Sequence, residues 1–336
     1  MDPVSQGALG ATAAALGAKK DEVRLAALVG WIGGMLADAD VFIRSSEDPL
    51  LQIEYHRHFT HSLLFIPVGG LIAAGLLFPF LRKRISFARL YLYSLFGYAT
   101  SGLLDACTSY GTQLLWPFSD MRVAWNIISI IDPIYTGALL LGLGLACFRK
   151  RRKWVVVSAA FSIAYLLVGV AQNHRATRLL EELAESRGHQ EIEKLTVKPS
   201  FANLLLWRGI YSYDGRFYID AIRVPFWGEG RVYEGVDTER VAVEPLLQGL
   251  SETSALAHDL RRFDHFSDGY LVWHPERPEV LGDARYAMVP DSDLPLWGIA
   301  IDRSGPNQHA PFLNFRDRDA EALARFGDML VGREVE

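Results

Sequence analysis

The stretch HSLLFIPVGGLIAAGLLFPFL, from His61 to Leu81, decides the fold class because it contains no Asp, Glu, Lys or Arg. A membrane-spanning helix needs about 20 predominantly apolar residues, and this stretch supplies them. Three further predominantly apolar stretches run from about Phe87 to Cys107, Ile127 to Phe148 and Trp154 to Ala171. The sequence therefore predicts a multi-pass α-helical membrane bundle.

Two shorter apolar stretches, Val23 to Ala37 and Gly7 to Gly17, precede these spans. They could form one tilted span, or a re-entrant pair buried among the other helices. We therefore expect a bundle of about four to five transmembrane or re-entrant helices. This transmembrane domain is expected to occupy residues 1–171.

The second half, residues 172–336, reads as a soluble, extracytoplasmic α+β domain that is rich in β-structure. Two strand-like runs are joined by Asp214-Gly215, a dipeptide typical of tight β-hairpins. The other predicted elements are a helix at Asn173–Arg187, strands at Tyr270–His274 and Leu296–Ile301, and a last helix at Arg318–Leu330.

The overall charge does not favour nucleic acid as a partner. The chain has 336 residues, a formal net charge of −5 and a pI near 6.0. This balance gives no support for a nucleic-acid partner, because such partners select basic surfaces. No obligate protein partner is indicated either, so the lipid bilayer is the first expected partner.

Basic residues predict the orientation in the membrane. They cluster in two short loops, Arg82 to Arg89 and Arg149 to Lys153, whereas the loop from Thr108 to Asn126 carries few. Short loops rich in Lys and Arg remain in the cytoplasm. The remaining loop and the C-terminal domain are then expected on the periplasmic side of a bacterial inner membrane.

Acidic and histidine side chains lie where the predicted spans begin or end, and the two basic loops contain none. Charges at a membrane edge are costly and mark functional sites by default. The predicted topology places these acidic and histidine residues at one depth, on the outer face of the membrane. Mixed imidazole and carboxylate donors suit a divalent metal ion, with zinc preferred to manganese or iron. The candidate ligands are Asp38, Asp40, His56, His61 and Asp105.

Purely structural roles compete with this interpretation. Asp38 and Asp40 could cap a helix end or contact lipid headgroups instead. Asp132, directly before Pro133, is better explained as the N-cap of a helix. Asp105 is harder to explain in this way, because an unpaired charge among apolar residues is expensive.

Four pieces of sequence carry a family resemblance: MDPVSQGALGA at the start, LADADVF, HRHFTHSLLF and GLLDACTSYGTQLLWPF. They resemble the YdjM-like family of LexA-regulated, inner-membrane-associated proteins classed as metal-dependent hydrolases. The resemblance covers about the first 170 residues. The family is also distantly similar to zinc phospholipase C enzymes, which implies lipid or phosphoester substrates.

The resemblance implies metal-ligand roles for Asp38, Asp40, His56, His61 and Asp105. The chain departs from the family pattern at two positions. Many members have a histidine where this chain has Gln6, and another where it has Ser101. The departures imply that the site holds fewer metal ions, or that its activity is weakened or absent.

These observations lead to one main hypothesis and one alternative. The main hypothesis is a membrane-bound metal-dependent hydrolase that acts on an ester or phosphoester of a lipid-linked substrate. Asp38 would be a further ligand or a base, and Arg57 or Arg122 would stabilise the developing negative charge. The alternative is a non-enzymatic membrane protein with a structural metal site or a partner-binding C-terminal domain.

Overall fold

The computed structural model describes residues 1–149, 151–315 and 320–335. Lys150 of the second basic loop and Arg318 of the predicted last helix lie outside these residues. The N-terminal helices are α1 (Pro3–Leu16), α2 (Val23–Leu36), α3 (Leu51–Tyr55), α4 (Ile66–Leu81), α5 (Phe87–Cys107), α6 (Pro133–Arg149) and α7 (Lys153–Ser186). Short 3-10 turns cover Ala37–Phe42, Phe59–His61 and Leu63–Phe65.

Three helical stretches within the described residues are long and apolar enough to cross a membrane. They are Val23–Phe42, Leu63–Leu81 and Lys153–Ser186, and α6 is a shorter apolar helix. A helical membrane region followed by a β-rich region is therefore confirmed. The number of crossings stays a prediction.

The predicted start of the third span, at Ile127, is wrong, because α6 begins at Pro133. Asp132 Oδ1 accepts hydrogen bonds from the backbone N–H groups of Ile134 (3.1 Å) and Tyr135 (3.0 Å). The residue before a proline is also disfavoured in helical conformation, so the helix does not extend backwards. The interpretation of Asp132 as an N-cap is confirmed.

The predicted end of the fourth span, at Ala171, is also wrong as a helix boundary. Helix α7 continues to Ser186 and includes most of the stretch that was predicted as a separate helix. No glycine or proline lies between Ala171 and Ser186 to end it. Gly188, with a φ of +79°, follows two residues after the helix.

Glycines let α1, α2 and α5 pack with their backbones in close approach. A Cβ at Gly30 would lie 2.4 Å from the carbonyl oxygen of Gly10. One at Gly97 would lie 2.4 Å from the carbonyl oxygen of Gly30, and one at Gly34 would lie 2.6 Å from that of Gln6. Small residues allow such contacts between membrane helices. This packing brings together the start of α1 and the end of α2.

The described residues form two compact units. Unit 1 comprises Met1–Ile43, Tyr55–Ala171 and Phe201–Asn203, and unit 2 comprises Arg44–Glu54, Gln172–Ser200 and Leu204–Glu336. The structure thus divides the chain between Ala171 and Gln172. It also assigns Arg44–Glu54, from the first half of the sequence, to unit 2, and Phe201–Asn203, from the second half, to unit 1. The sequence alone did not indicate either assignment.

Unit 2 contains two four-stranded antiparallel sheets, in the orders β1-β2-β3-β4 and β5-β6-β7-β8. Its strands are β1 (Lys194–Pro199), β2 (Leu206–Tyr213), β3 (Arg216–Arg223), β4 (Arg231–Glu239), β5 (Leu271–His274), β6 (Arg277–Asp283), β7 (Trp297–Ala300) and β8 (Phe312–Asn314). Its further helices are α8 (Val243–Leu247), α9 (Ala255–Ser267) and α10 (Ala320–Val331).

The hairpin predicted at Asp214-Gly215 is confirmed. Both residues have positive φ, at 49° and 70°, and Tyr213 pairs with Arg216 across the turn. Two-residue turns of this kind match the natural twist of the strands. Strands β5 and β7 also fall within the two predicted strand regions.

Candidate metal centre

Three of the candidate ligands, from separate parts of unit 1, meet in one group. Asp38 lies in the 3-10 turn after α2, His61 ends the turn Phe59–His61, and Asp105 lies in the last turn of α5. One ligand atom from each residue lies within 4.8 Å of the other two. Residues far apart in sequence therefore offer a common binding position for an ion.

The two ring nitrogens of His61 face different carboxylates. Nε2 lies 3.0 Å from Asp105 Oδ2 and 3.2 Å from Asp38 Oδ1. Nδ1 lies 3.1 Å from Asp40 Oδ2. The side chains of His61 and Asp105 are fully buried, whereas Asp38 keeps 16% of its side chain exposed. An ion at Nε2 would leave Nδ1 to Asp40, and a carboxylate in that position orients a metal-binding imidazole.

Asp40 connects His61 to His56. His56 Nδ1 lies 2.8 Å from Asp40 Oδ1, while the backbone N–H of Arg57 and the hydroxyl of Thr60 donate to Asp40 Oδ2. The ring centres of His56 and His61 are 6.4 Å apart. Asp40 and His56 therefore lie on the Nδ1 side of the His61 ring, whereas Asp38 and Asp105 lie on its Nε2 side.

Arg57 holds two of the acidic residues in place. Its backbone donates to Asp40, its Nε lies 3.3 Å from Asp105 Oδ2, and its Nη1 donates to the Thr108 hydroxyl at 2.8 Å. The side chain is buried, and the backbone has a φ of +61°. Such a conformation is strained for a residue other than glycine, so the surrounding contacts must compensate for it.

Gln6, one of the two departures from the family pattern, lies directly on the ligand group. Its fully buried side chain donates from Nε2 to Asp38 Oδ1 at 3.2 Å and to both carboxylate oxygens of Asp105 at 3.1 Å. The amino group of Met1 also contacts Asp105. Ser101, the other departure, instead donates to the carbonyl of Gly34 at 2.6 Å.

Arg122 supports the backbone beside His56. Its Nη2 donates to the carbonyls of His56 and Gly111, at 3.0 Å and 3.2 Å. The guanidinium carbons of Arg57 and Arg122 lie 5.1 Å and 5.5 Å from the ring centre of Tyr110, within cation–π range. Both predicted cationic residues thus adjoin Tyr110, which no sequence pattern indicated as part of the site.

The donor set fits a divalent ion. Two carboxylates and one imidazole are ligand types that zinc and related ions accept, and three protein ligands are typical of a catalytic site with an open position. In the structure, Arg57, the Met1 amino group and the Gln6 amide compensate the charge of the carboxylates. A bound ion would take over part of that compensation.

A second group, Asp48, Asp259 and His309 in unit 2, has ligand atoms equally close together. Here Arg262 Nη1 lies 3.0 Å from Asp48 Oδ1 and 3.1 Å from Asp259 Oδ1. Partial burial would raise the pKa of Asp48, but the hydrogen bond from Arg262 lowers it. Because Arg262 bridges both acids and two of the three residues are only partly buried, we interpret this group as an ion-pair cluster.

Apolar helices long enough to cross a membrane, together with a buried carboxylate–imidazole group, define a helical membrane protein with a candidate metal site. The chain belongs to the YdjM inner membrane protein family, whose model matches residues 1–176. This confirms the resemblance and the inner-membrane location, while regulation by LexA stays an expectation.

The chain is also similar to "Uncharacterized protein YfhP" of Bacillus subtilis (strain 168), with 25% identity over 189 residues. The match covers 56% of this chain and 55% of the relative, so the chain spans about half the length of the curated relative it matches. No solved structure matches the chain.

Proposed function

We propose that this protein is a metal-dependent hydrolase of the inner membrane that cleaves an ester or phosphoester of a lipid-linked substrate at the outer membrane face. The observation that carries the proposal is the buried group in which His61 Nε2 faces the carboxylates of Asp38 and Asp105. Burying two acids and a histidine is costly unless positive charge compensates them, and a bound cation would add to the compensation that Arg57 and the Met1 amino group give Asp105.

Asp38, His61 and Asp105 would hold the ion, with zinc as the preferred identity. Such an ion supplies a Lewis acid that polarises the scissile bond and acidifies a water molecule. Asp40, at Nδ1 of His61, would keep the imidazole in the tautomer that offers Nε2 to the ion. Asp38 retains some solvent exposure, so one of its carboxylate oxygens could also accept a proton from the attacking water.

Two arginines would stabilise negative charge that develops on the substrate. Arg57 lies against Asp105, and Arg122 lies near the same tyrosine ring. Arg57 is buried, so its charge acts in a medium of low polarity, where electrostatic effects are stronger than in water. A phosphoryl or carboxyl ester group would match this positive charge.

Exposed apolar side chains of unit 1 favour a substrate that resides in the membrane. Phe42, in the turn that carries Asp38 and Asp40, is 77% exposed, and Phe118 is 84% exposed. Large exposed aromatic side chains suit contact with lipid. A lipid-linked ester could then reach the group from the membrane without leaving it.

We further propose that the protein crosses the membrane several times, with unit 2 on the periplasmic side. The basic loops near Arg82 and Arg149 support this orientation. A reporter enzyme that is active only outside the cytoplasm, fused after Val331, would be active. An inactive reporter there, with an active one fused within the loop after Arg82, would reverse the orientation.

Metal content and activity test the proposed chemistry together. The full chain, purified in detergent, is expected to contain a divalent metal by elemental analysis and to cleave a fluorescent phosphoester lipid until a chelator is added. His61→Ala and Asp105→Asn should each lose the metal and the activity. His58→Ala, in the same sequence motif but outside the three-residue group, should retain both. A wild-type protein that binds no metal would overturn the proposal.

The second candidate is a metal site that only stabilises the fold, favoured by the complete burial of His61 and Asp105. A structural ion is fully ligated, whereas a catalytic one keeps a position open. The absorption spectrum of a cobalt-substituted sample should therefore change on adding phosphate if the site is catalytic. An unchanged spectrum would support the structural role.

A further inference from the structure

We propose that the connection between β3 and β4 in unit 2 inserts two aromatic side chains into the lipid–water interface. Residues 224–228, called here the β3–β4 tip, have the sequence VPFWG. Trp227 is 88% exposed and Phe226 is 44% exposed, and their ring centres lie 6.1 Å apart. The tip is thus a compact apolar projection.

The tip is fixed to helix α7 by side chains that bind its backbone. Gln172, which is buried, donates to the carbonyl of Val224 at 2.7 Å. Arg175 donates to the carbonyls of Pro225 at 2.7 Å and Gly228 at 3.0 Å. These hydrogen bonds hold both ends of the tip at one turn of the helix.

That turn lies directly after the apolar part of α7. The apolar segment ends at Ala171, and Gln172 and Arg175 are on the next turn. At a helical rise of about 1.5 Å per residue, Arg175 lies about 6 Å further along the helix axis than Ala171. The polar interfacial layer on each side of the hydrocarbon core is about 5–8 Å thick. If this apolar segment spans the bilayer, the tip lies within that layer.

The chemistry of the tip suits the bilayer better than another protein. Tryptophan is enriched at membrane–water interfaces, because its ring is apolar and its N–H is polar. Exposed Arg231 follows the tip by three residues, and exposed Arg178 follows Arg175 by three residues on α7. Both can contact anionic headgroups, although Glu229 reduces their net charge. The occupant we infer is therefore the lipid surface into which α7 itself leads.

Photo-crosslinking tests this placement in the full chain reconstituted in lipid nanodiscs. A benzophenone amino acid replaces Trp227, and in a matched control it replaces the exposed Asp214 at the opposite end of β3. The eight residues of β3 separate the two sites by about 26 Å. A positive control places the same group at Phe80, an exposed residue of α4. Both test positions are exposed, and because Asp214 has a φ of +49° in its turn, circular dichroism checks that each variant is folded before crosslinking.

We expect lipid adducts at position 227 and position 80, detected by mass spectrometry, and only background at position 214. Adducts at position 80 with only background at 227 would place the tip in water and overturn the proposal. Protein–protein adducts at 227 in place of lipid adducts would also overturn it, since the tip would then contact another chain. The result does not depend on metal binding or hydrolysis.

Discussion

Replacing Gly102 with alanine would move His61 without changing any candidate ligand. A Cβ at position 102 would lie 2.2 Å from the carbonyl oxygen of His61 and 3.1 Å from its carbonyl carbon. Carbon–oxygen contacts in proteins are seldom closer than about 3.3 Å, so one of the two backbones must move by about 1 Å. Because the carbonyl oxygen and carbon of His61 are backbone atoms, they cannot relieve the contact by a side-chain rotation.

The displacement is large on the scale of metal coordination. Ligand distances in metal sites are held to within about 0.2 Å, so a shift of about 1 Å at His61 should weaken binding strongly. Loss of a supporting group around a metal site typically reduces affinity about 10- to 100-fold. That range corresponds to about 1.4–2.8 kcal/mol of binding free energy.

The assay is a titration of metal-free protein in detergent against a chelator of known affinity. Gly75→Ala in α4 is the matched control, because a Cβ there meets nothing within 4 Å. Both substitutions favour the helix by about the same amount, up to about 1 kcal/mol. A Gly102→Ala protein that is folded and binds metal as tightly as wild type would refute the inference that His61 is a ligand at this position.

Three further results are expected. Gln6→His should increase metal affinity relative to both wild type and Gln6→Leu, because an imidazole would replace an amide that now contacts Asp105; equal affinities in all three would contradict this. Arg57→Gln should destabilise metal-free protein by up to about 3 kcal/mol, because the buried Asp105 would lose one of the two cations that contact it; thermal unfolding should show a smaller loss once metal is added. Asp48→Asn should be less stable than wild type near neutral pH. Arg262 lowers the folded-state pKa of Asp48, so the stabilisation by this ion pair is present above the unfolded-state pKa of about 4 and is lost as the pH falls through the lower folded value. The difference in melting temperature between wild type and Asp48→Asn should therefore disappear in acid. A difference that persists there would assign the effect to another cause.

Part of the candidate site follows from sequence because spans begin and end at defined residues. Asp38, His61 and Asp105 each stand at the end of an apolar stretch, so a helical bundle can bring them to one depth. The sequence does not say which ring nitrogen faces which acid, because that depends on how the 3-10 turn Phe59–His61 is oriented. The proximity of Gln6 depends on the glycine contacts between α1 and α2, which no residue spacing reveals.

The helix boundaries show a similar division. The start of α6 could have been read from Asp132 and Pro133, since an N-cap and an N1 proline are local signals. The apolar residues Ile127 to Ile131 extend the hydropathic stretch beyond the helix, although they lie before its N-cap. The hydropathy pattern ends the fourth span at Ala171, but α7 continues to Ser186. A change from apolar to polar residues does not end a helix when no glycine or proline follows.

The separation of Asp38, His61 and Asp105 along the chain has a consequence for biosynthesis. A nascent polypeptide has no complete set of donors until α5 has left the ribosome and entered the bilayer. The glycine contacts between α1, α2 and α5 must also have formed. Metal loading would then report that insertion of the N-terminal helices is complete.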